Sequence, residues 1–152
     1  MWQRIFILVA LISYSDVYAE TQKLQTIILA GGCFWCIEAD YEKRDVVVDI
    51  VSVYAGGHVD GPTYKQVSIG GTGHIEVVSV VFDSKVISYN KILAYYWRHV
   101  DPTRDDGQFC DKGPQYRPAL FNSNNQQKDE ILRSMREVTR TKSFADPLMV
   151  EI

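Results

Sequence analysis

The pattern of apolar and polar residues after position 20 predicts short strands separated by amphipathic helices. Apolar runs rich in β-branched residues predict strands over 26–30, 46–54, 75–82 and 119–121, and a last strand that begins at 148. Helical periodicity predicts helices over 34–41, 88–100 and 124–139. The run 46–54 is apolar at nearly every position, which predicts a strand covered on both faces.

Capping residues define where the predicted helices begin. Ser88 is the predicted N-cap of the second helix, and Ser123 with Gln126 forms a predicted capping box for the third. Thr63 follows a proline and is a candidate cap for a short helical turn. Between residues 101 and 118 the chain is polar and aperiodic, and a loop of that length in a compact domain is usually functional.

The order strand, helix, strand, strand, helix predicts the fold class. With the helices on one side of the sheet, it indicates an α+β protein built as a two-layer α/β sandwich. The expected architecture is a mixed sheet with a ferredoxin-like core and long irregular loops. Repeats, low-complexity segments and interdomain linkers are absent from the sequence, so one domain is expected.

Composition and charge narrow the possible partners. The 152 residues are 46% hydrophobic and 23% charged, which is typical of a single globular domain with its own core. The net charge is −3, and the chain has no basic run interleaved with aromatic residues. Nucleic acid is therefore not an expected partner.

The first 19 residues have the pattern of a secretory signal. Arg4 provides a basic start, residues 5–12 are an unbroken apolar run, and Val17-Tyr18-Ala19 resembles a small-residue cleavage site. The apolar run is too short to span a bilayer, so no stable membrane anchor is expected. We predict a signal peptide at 1–19, a mature domain at 20–152, and export to the periplasm or the medium.

The chain has three cysteines, and two of them are closely spaced. Cys33 and Cys36 stand at C-x-x-C spacing where a glycine turn leads into a helix, and Cys110 lies in the long polar loop. An odd number of cysteines favours reactive thiols over a stabilising disulfide framework. Backbone N–H groups at a helix N-terminus stabilise a thiolate, so Cys33 is the candidate nucleophile.

Two other interpretations of the cysteines remain possible. A thioredoxin-like dithiol site fits the C-x-x-C spacing at a helix start. A zinc site would need His58 and His74 as further ligands, but these lie on separate glycine loops and form no tight ligand pair.

Four other residues are candidates for acid or hydrogen-bonding roles. Glu76 stands at the entry of a buried strand, where desolvation raises the pKa of a carboxyl group and lets it donate a proton near neutral pH. Tyr64 and Tyr116 lie in loops, where their phenols can donate hydrogen bonds to a developing oxyanion. Asp111 lies in a turn, where aspartate is most often a turn former.

Taken together and in order, these segments resemble the A-type peptide methionine sulfoxide reductases. The resemblance covers about residues 26–121 and rests on six blocks of sequence. They are Gly32-Cys33-Phe34-Trp35-Cys36, Tyr54-Ala55-Gly56-Gly57, Tyr64, Gly71-Thr72-Gly73-His74-Ile75-Glu76, Asp101-Pro102-Thr103 and Asp111-Lys112-Gly113-Pro114-Gln115-Tyr116-Arg117.

The resemblance implies a reaction and a role for each candidate. The family reduces the S epimer of methionine sulfoxide, and Cys33 would attack the sulfoxide sulfur while Glu76 protonates its oxygen. Tyr64 and Tyr116 would hydrogen-bond that oxygen, and Asp111 would orient the polar end of the substrate. Phe34 and Trp35 would hold the S-methyl group.

The resemblance also implies how the enzyme is regenerated. A sulfenic acid on Cys33 would condense with a second thiol to a disulfide. Cys36 is the first candidate for this resolving thiol because it is three residues away, and Cys110 is the second. Thioredoxin or a periplasmic thioredoxin-like protein would then restore the thiols, and no cofactor or metal is required.

Two alternatives to this function remain. One is a general thiol–disulfide oxidoreductase that uses Cys33 and Cys36 without any sulfoxide. The other is an inactive relative that binds oxidised methionine without turnover, because the family usually continues through a C-terminal segment that this sequence, ending at Ile152, is expected to lack.

Overall fold

The computed structural model describes residues 21–152, so the predicted signal peptide lies outside the described residues. The helices are α1 (Phe34–Glu42), α2 (Tyr64–Ile69), α3 (Tyr89–Tyr96) and α4 (Asn125–Thr141), with a 3₁₀ turn at Pro114–Tyr116. The strands are β1 (Leu24–Ala30), β2 (Val47–Ala55), β3 (Ile75–Asp83), β4 (Gly107–Gln108), β5 (Asp111–Lys112) and β6 (Ala119–Phe121). Among these residues, no helix is long and apolar enough to cross a membrane.

Four strands form the main sheet in the order β2-β3-β1-β6, and every pairing between them is antiparallel. This is the strand order of a ferredoxin-like core, in which α1 connects β1 to β2 and β3 lies between those two strands. The parallel component is an isolated bridge between Ala119 and Glu151. The predicted α+β fold class is confirmed.

The larger apolar core lies between the sheet and the helices. Ile27, Leu29, Val80 and Phe82 project from the two central strands toward the side chains of α1, α3 and α4. A smaller cluster that includes Ala30, Ile75 and Val77 forms on the opposite face. Two central strands buried on both sides provide the rigid support from which the neighbouring loops project.

Several predicted elements differ from the structure. The strand predicted to be covered on both faces, β2, is an edge strand, and Val48 and Val51 are about half exposed. The helix predicted over 88–100 is α3, which ends at Tyr96 and not near residue 100, because residues 97–99 continue as a turn. The N-cap of α4 is Asn124 and not Ser123, since the Asn124 side chain accepts from the Gln127 amide.

Of two further predictions, the cap of α2 is confirmed and the last strand is not. Thr63 does cap α2, and it forms a complete capping box with Gln66. The predicted last strand is reduced to the single bridge at Glu151. Most of the segment from residue 142 to the end is irregular.

Candidate active site

Cys33 lies at the N-cap of α1, directly after the two glycines that follow β1. Its carbonyl oxygen accepts from the amides of Cys36 and Ile37 at 3.0 and 3.3 Å, which closes the first turn of the helix. Cys33 is half-buried, Cys36 and Cys110 are exposed, and all three are free thiols. The sequence therefore places a thiol at the junction of a rigid strand and a helix start.

The two glycines allow this junction to pass close to the rest of the fold. A Cβ on Gly31 would lie 2.4 Å from a Val100 methyl carbon. Gly32 has φ +106°, and a Cβ there would lie 3.0 Å from the Cβ of Gln108. The strand end itself is held by Tyr96, whose hydroxyl donates to the Ala30 carbonyl at 2.9 Å.

Glu76 is the most deeply buried acid of the site, with 1% of its surface exposed. Its Oε2 accepts from the Phe34 amide at 3.0 Å, while Oε1 is buried and has no hydrogen-bond partner among the described residues. Burial raises the pKa of Glu76, the nearby Asp111 raises it further, and the hydrogen bond from Phe34 opposes them. The predicted desolvated acid is present, and it is held by the residue that follows Cys33.

This hydrogen bond changes the expected role of the helix N-terminus. The first N–H of α1, that of Phe34, points at Glu76. The positive end of the helix dipole therefore helps to position the carboxyl group of Glu76.

Four aromatic rings form a wall beside the thiol and the acid. Phe34 lies 5.3 Å from Trp35 and 5.4 Å from Tyr54 between ring centroids. Tyr64 stacks on Trp35 at 5.3 Å with an interplanar angle of 18°. Phe34 is buried, whereas Trp35 and Tyr64 are 58% and 47% exposed, so they present an accessible apolar surface.

Tyr116 comes from the long loop toward the same acid. The 3₁₀ turn that carries Tyr116 packs against β3, the strand of Glu76. Burial raises the pKa of the Tyr116 phenol and the charge of Glu76 raises it further, while a hydrogen bond with Gln115 opposes them. Tyr116 and Glu76 therefore belong to one site.

Two buried glutamines stabilise the long loop. Gln108 is fully buried; its Oε1 accepts from the Asp101 amide at 2.7 Å, and its Nε2 donates to the Asp101 carbonyl at 2.8 Å. Gln115 donates through Nε2 to the Ser68 carbonyl at 3.1 Å, which ties the 3₁₀ turn to α2. Sequence reasoning assigned neither a role, although both lie in the loop that it singled out.

Cys36 lies one helical turn from Cys33, and its amide donates to the Cys33 carbonyl at 3.0 Å. Partial burial raises the pKa of the Cys36 thiol, and Cys33 raises it further, with smaller contributions from Asp111 and Glu76. Both residues border a groove of about 710 Å³ that also contacts Cys110 and Asp111. The structure thus brings the nucleophile candidate and both candidate resolving thiols to one groove.

His74 has a structural role here. Its Nε2 donates to the Val59 carbonyl at 2.8 Å, and its Nδ1 accepts from the Gly57 amide at 3.3 Å. Both ring nitrogens are engaged, and a Cβ on Gly57 would clash with the ring. Within residues 21–152, no group of three or more His, Cys, Asp or Glu side chains is placed to hold a metal ion.

Comparison with known proteins gives the family. The family model for peptide methionine sulfoxide reductase matches residues 25–152. The chain is 50% identical over 138 residues to a peptide methionine sulfoxide reductase MsrA/MsrB of Vibrio cholerae, covering 91% of this chain but only 36% of that longer protein. It is 41% identical over 131 residues to an MsrA of Halalkalibacterium halodurans, covering 86% of this chain and 74% of that protein.

Solved structures agree with the sequences. Reduced Mxr1 of Saccharomyces cerevisiae superposes with a TM-score of 0.79 at 33% identity, over 86% of this chain and 75% of Mxr1. A further structure of Mxr1, in complex with Trx2, superposes with a TM-score of 0.57 at 22% identity, over 86% of this chain and 83% of that chain. The fold, the family model and the curated relatives agree, and the chain belongs to the A-type peptide methionine sulfoxide reductases, a family that reduces methionine sulfoxide.

Proposed function

We propose that this protein reduces the S epimer of methionine sulfoxide, free or in proteins, with Cys33 as the nucleophile. The observation that carries the proposal is the buried carboxyl of Glu76, whose pKa is raised and which is held by the amide next to Cys33. A buried acid with a raised pKa, adjacent to a thiol and an aromatic wall, suits a reaction that must protonate an oxygen while a sulfur is attacked.

In the first step, the Cys33 sulfur attacks the sulfoxide sulfur and the S–O bond breaks. The leaving oxygen takes a proton from Glu76, and Oε1 is the suitable oxygen because Oε2 is occupied by the Phe34 amide. The water formed in this way then attacks the Cys33 sulfur, the new S–S bond breaks, and a proton returns to Glu76. Methionine leaves with the electron pair of the S–S bond and Cys33 becomes a sulfenic acid, so the sulfoxide gains the two electrons that the thiol loses.

Substrate orientation follows from the two sides of this pocket. The exposed rings of Trp35 and Tyr64, backed by Phe34, can contact the S-methyl group. Glu76, Tyr116 and the hydroxyl of Tyr64 supply the polar side, with Asp111 nearby. Donors that strengthen as the oxygen becomes more basic stabilise the transition state more than the ground state. An apolar wall opposite these donors distinguishes the two epimers.

In the second step, we propose that Cys36 resolves the sulfenic acid. Its thiol attacks the Cys33 sulfur, water leaves, and a Cys33–Cys36 disulfide forms. The position of Cys36 on the first turn of α1 supports this choice, because its amide donates to the Cys33 carbonyl at 3.0 Å and both residues border the same groove. Cys110 borders the same groove and is the second candidate.

We propose a thioredoxin-like dithiol as the reductant that cleaves this disulfide. Cys36 is exposed, so an external thiolate can reach it. The related yeast protein Mxr1 has been solved with Trx2 bound. The signal-like pattern of residues 1–19 further supports an exported enzyme with a periplasmic thioredoxin-like partner. N-terminal sequencing of the exported protein would test cleavage after Ala19.

The experiment that tests the function is a reduction assay on the separated S and R epimers of a methionine sulfoxide peptide, with dithiothreitol as reductant. We expect methionine from the S epimer and none from the R epimer, and no activity in Cys33→Ser. Cys110→Ser is the matched control and should retain activity with dithiothreitol. Binding without turnover would favour the inactive relative, and insulin reduction without sulfoxide reduction would favour the general oxidoreductase.

A further inference from the structure

Tyr54 is the one member of the aromatic wall to which the sequence assigned no role. It lies in β2, and the register of the sheet places it directly opposite Glu76 of β3. Directly opposite residues of an antiparallel pair project to the same face with their Cβ atoms about 5 Å apart. Tyr54 and the acid are therefore side-by-side neighbours, fixed by backbone hydrogen bonds.

The ring of Tyr54 is held on its other side by α1. Its centroid lies 5.4 Å from that of Phe34, the residue whose amide binds Oε2 of Glu76. Tyr54 is half-buried, whereas Tyr64 is 47% exposed and stacked flat on Trp35. By burial and by position, Tyr54 is more closely associated with the acid than Tyr64 is.

The phenol of Tyr54 ends near the polar side of the pocket. A tyrosine side chain is longer than a glutamate side chain, so from neighbouring Cβ atoms its hydroxyl extends farther from the sheet than the carboxyl does. Burial raises the pKa of Tyr54, and Glu76, Tyr64 and Tyr116 raise it further. The rings of Tyr54 and Tyr64 lie 5.4 and 6.4 Å from that of Phe34, whose amide holds the carboxyl of Glu76. Oε1 of that carboxyl has no hydrogen-bond partner within residues 21–152.

We propose that the hydroxyl of Tyr54 is a third phenolic donor to the sulfoxide oxygen, alongside Tyr64 and Tyr116, which makes Tyr54 a catalytic residue. In the reaction it donates a hydrogen bond to the oxygen as the S–O bond breaks, and it neither gains nor loses a covalent bond. This inference rests on the proposed function, because it assigns a role within the same pocket.

The test compares three variants with the wild type in the first turnover and at steady state. Removing one preorganised donor typically costs about 10²–10³ in rate, and the two remaining phenols reduce that loss. We expect Tyr54→Phe to lower kcat for the S epimer about 10- to 100-fold with little change in KM. Tyr54→Leu should be about as impaired as Tyr54→Phe, because the hydroxyl and not the ring carries the effect.

Tyr89→Phe is the matched control. It removes a buried hydroxyl that has no hydrogen-bond partner, and Tyr89 packs in the main core. It should leave kcat unchanged. If Tyr54→Phe is as active as the wild type while Tyr54→Leu is not, Tyr54 only fills space and the inference is wrong.

A second measurement keeps the test valid even if Tyr54→Phe folds poorly. A ring-fluorinated tyrosine at position 54 retains the packing but lowers the pKa of the phenol. Since a more acidic phenol is a stronger hydrogen-bond donor, the first-turnover rate at a pH where the phenol is protonated should differ from that of the wild type, and an unchanged rate would contradict the inference. A wild type inactive on the S epimer would instead contradict the proposed function itself.

Discussion

The two sides of Cys33 are built differently. On the acid side, Glu76 and Tyr54 lie on paired strands, and the Phe34 amide fixes the carboxyl from α1. On the thiol side, Cys36 is exposed on the first turn of α1, and Cys110 follows the hairpin turn at Phe109, the only non-glycine residue at positive φ within residues 21–152. Regular structure holds the first side, and loops and a helix start form the second.

This difference corresponds to the two halves of the reaction. Proton transfer and oxygen binding need groups fixed to a fraction of an ångström, which rigid elements provide. Disulfide formation and exchange with an external reductant need accessible sulfurs that can change partner. The position of Cys33 between strand and helix lets one sulfur take part in both halves.

On the acid side, we expect the largest loss of activity from a substitution of Glu76. We expect Glu76→Gln to lower kcat by about 10²–10⁴, the usual contribution of a positioned general acid. The measurement is the first-turnover rate at several pH values. A loss of less than tenfold would show that the proton comes from another donor.

The same substitution should stabilise the fold. Because burial raises the pKa of Glu76, the folded state binds this proton more tightly than the unfolded chain. Wild-type stability should therefore fall as pH rises from the ordinary carboxyl pKa of 4.5 through the raised value. Urea unfolding at increasing pH should show Glu76→Gln gaining on the wild type over that range, and a constant difference would contradict the pKa shift.

A substitution of Cys36 should impair the thiol side and leave the acid side intact. We expect Cys36→Ser to release methionine in the first turnover at the wild-type rate, because Cys33 and Glu76 are intact. Steady-state turnover with a protein dithiol should then be largely lost, and the sulfenic acid should be trapped by dimedone. Cys110→Ser is the control; if it and not Cys36→Ser loses turnover, Cys110 is the resolving thiol.

The smallest expected effect is at the exposed rim. Trp35 is 58% exposed and contacts the rings of Phe34 and Tyr64. Trp35→Ala should raise KM for a methionine sulfoxide peptide about tenfold, consistent with an aromatic contact of about 1.5 kcal/mol. Because the acid and the thiol are untouched, kcat should change little. A large fall in kcat would place Trp35 in the chemistry.

The sequence predicted the local features of this molecule well. The Gly31-Gly32-Cys33 turn, the Thr63 cap and the three main-sheet strands that precede α3 each follow from short-range pattern. It also singled out Glu76, which the structure shows to be buried. These features depend on residues near one another in the chain.

The features that the sequence did not predict depend on contacts between residues that are far apart in the chain. The valines of β2 look like a doubly covered strand, but no element within residues 21–152 covers the outer face, so Val48 and Val51 are exposed. The placement of Tyr54 beside Glu76 follows from the strand register, which one sequence does not reveal. Gln108 resembles a loop residue until the packing against Gly32 is seen.

The central claim is that the Cys33 sulfur reduces the sulfoxide with Cys36 as its partner. The most direct test is a single turnover on the S epimer without any reductant, followed by mass spectrometry of the protein. We expect one methionine per chain and a disulfide between Cys33 and Cys36, with Cys110 still free. Methionine formation with Cys33 unmodified, or no methionine at all from the folded protein, would contradict it.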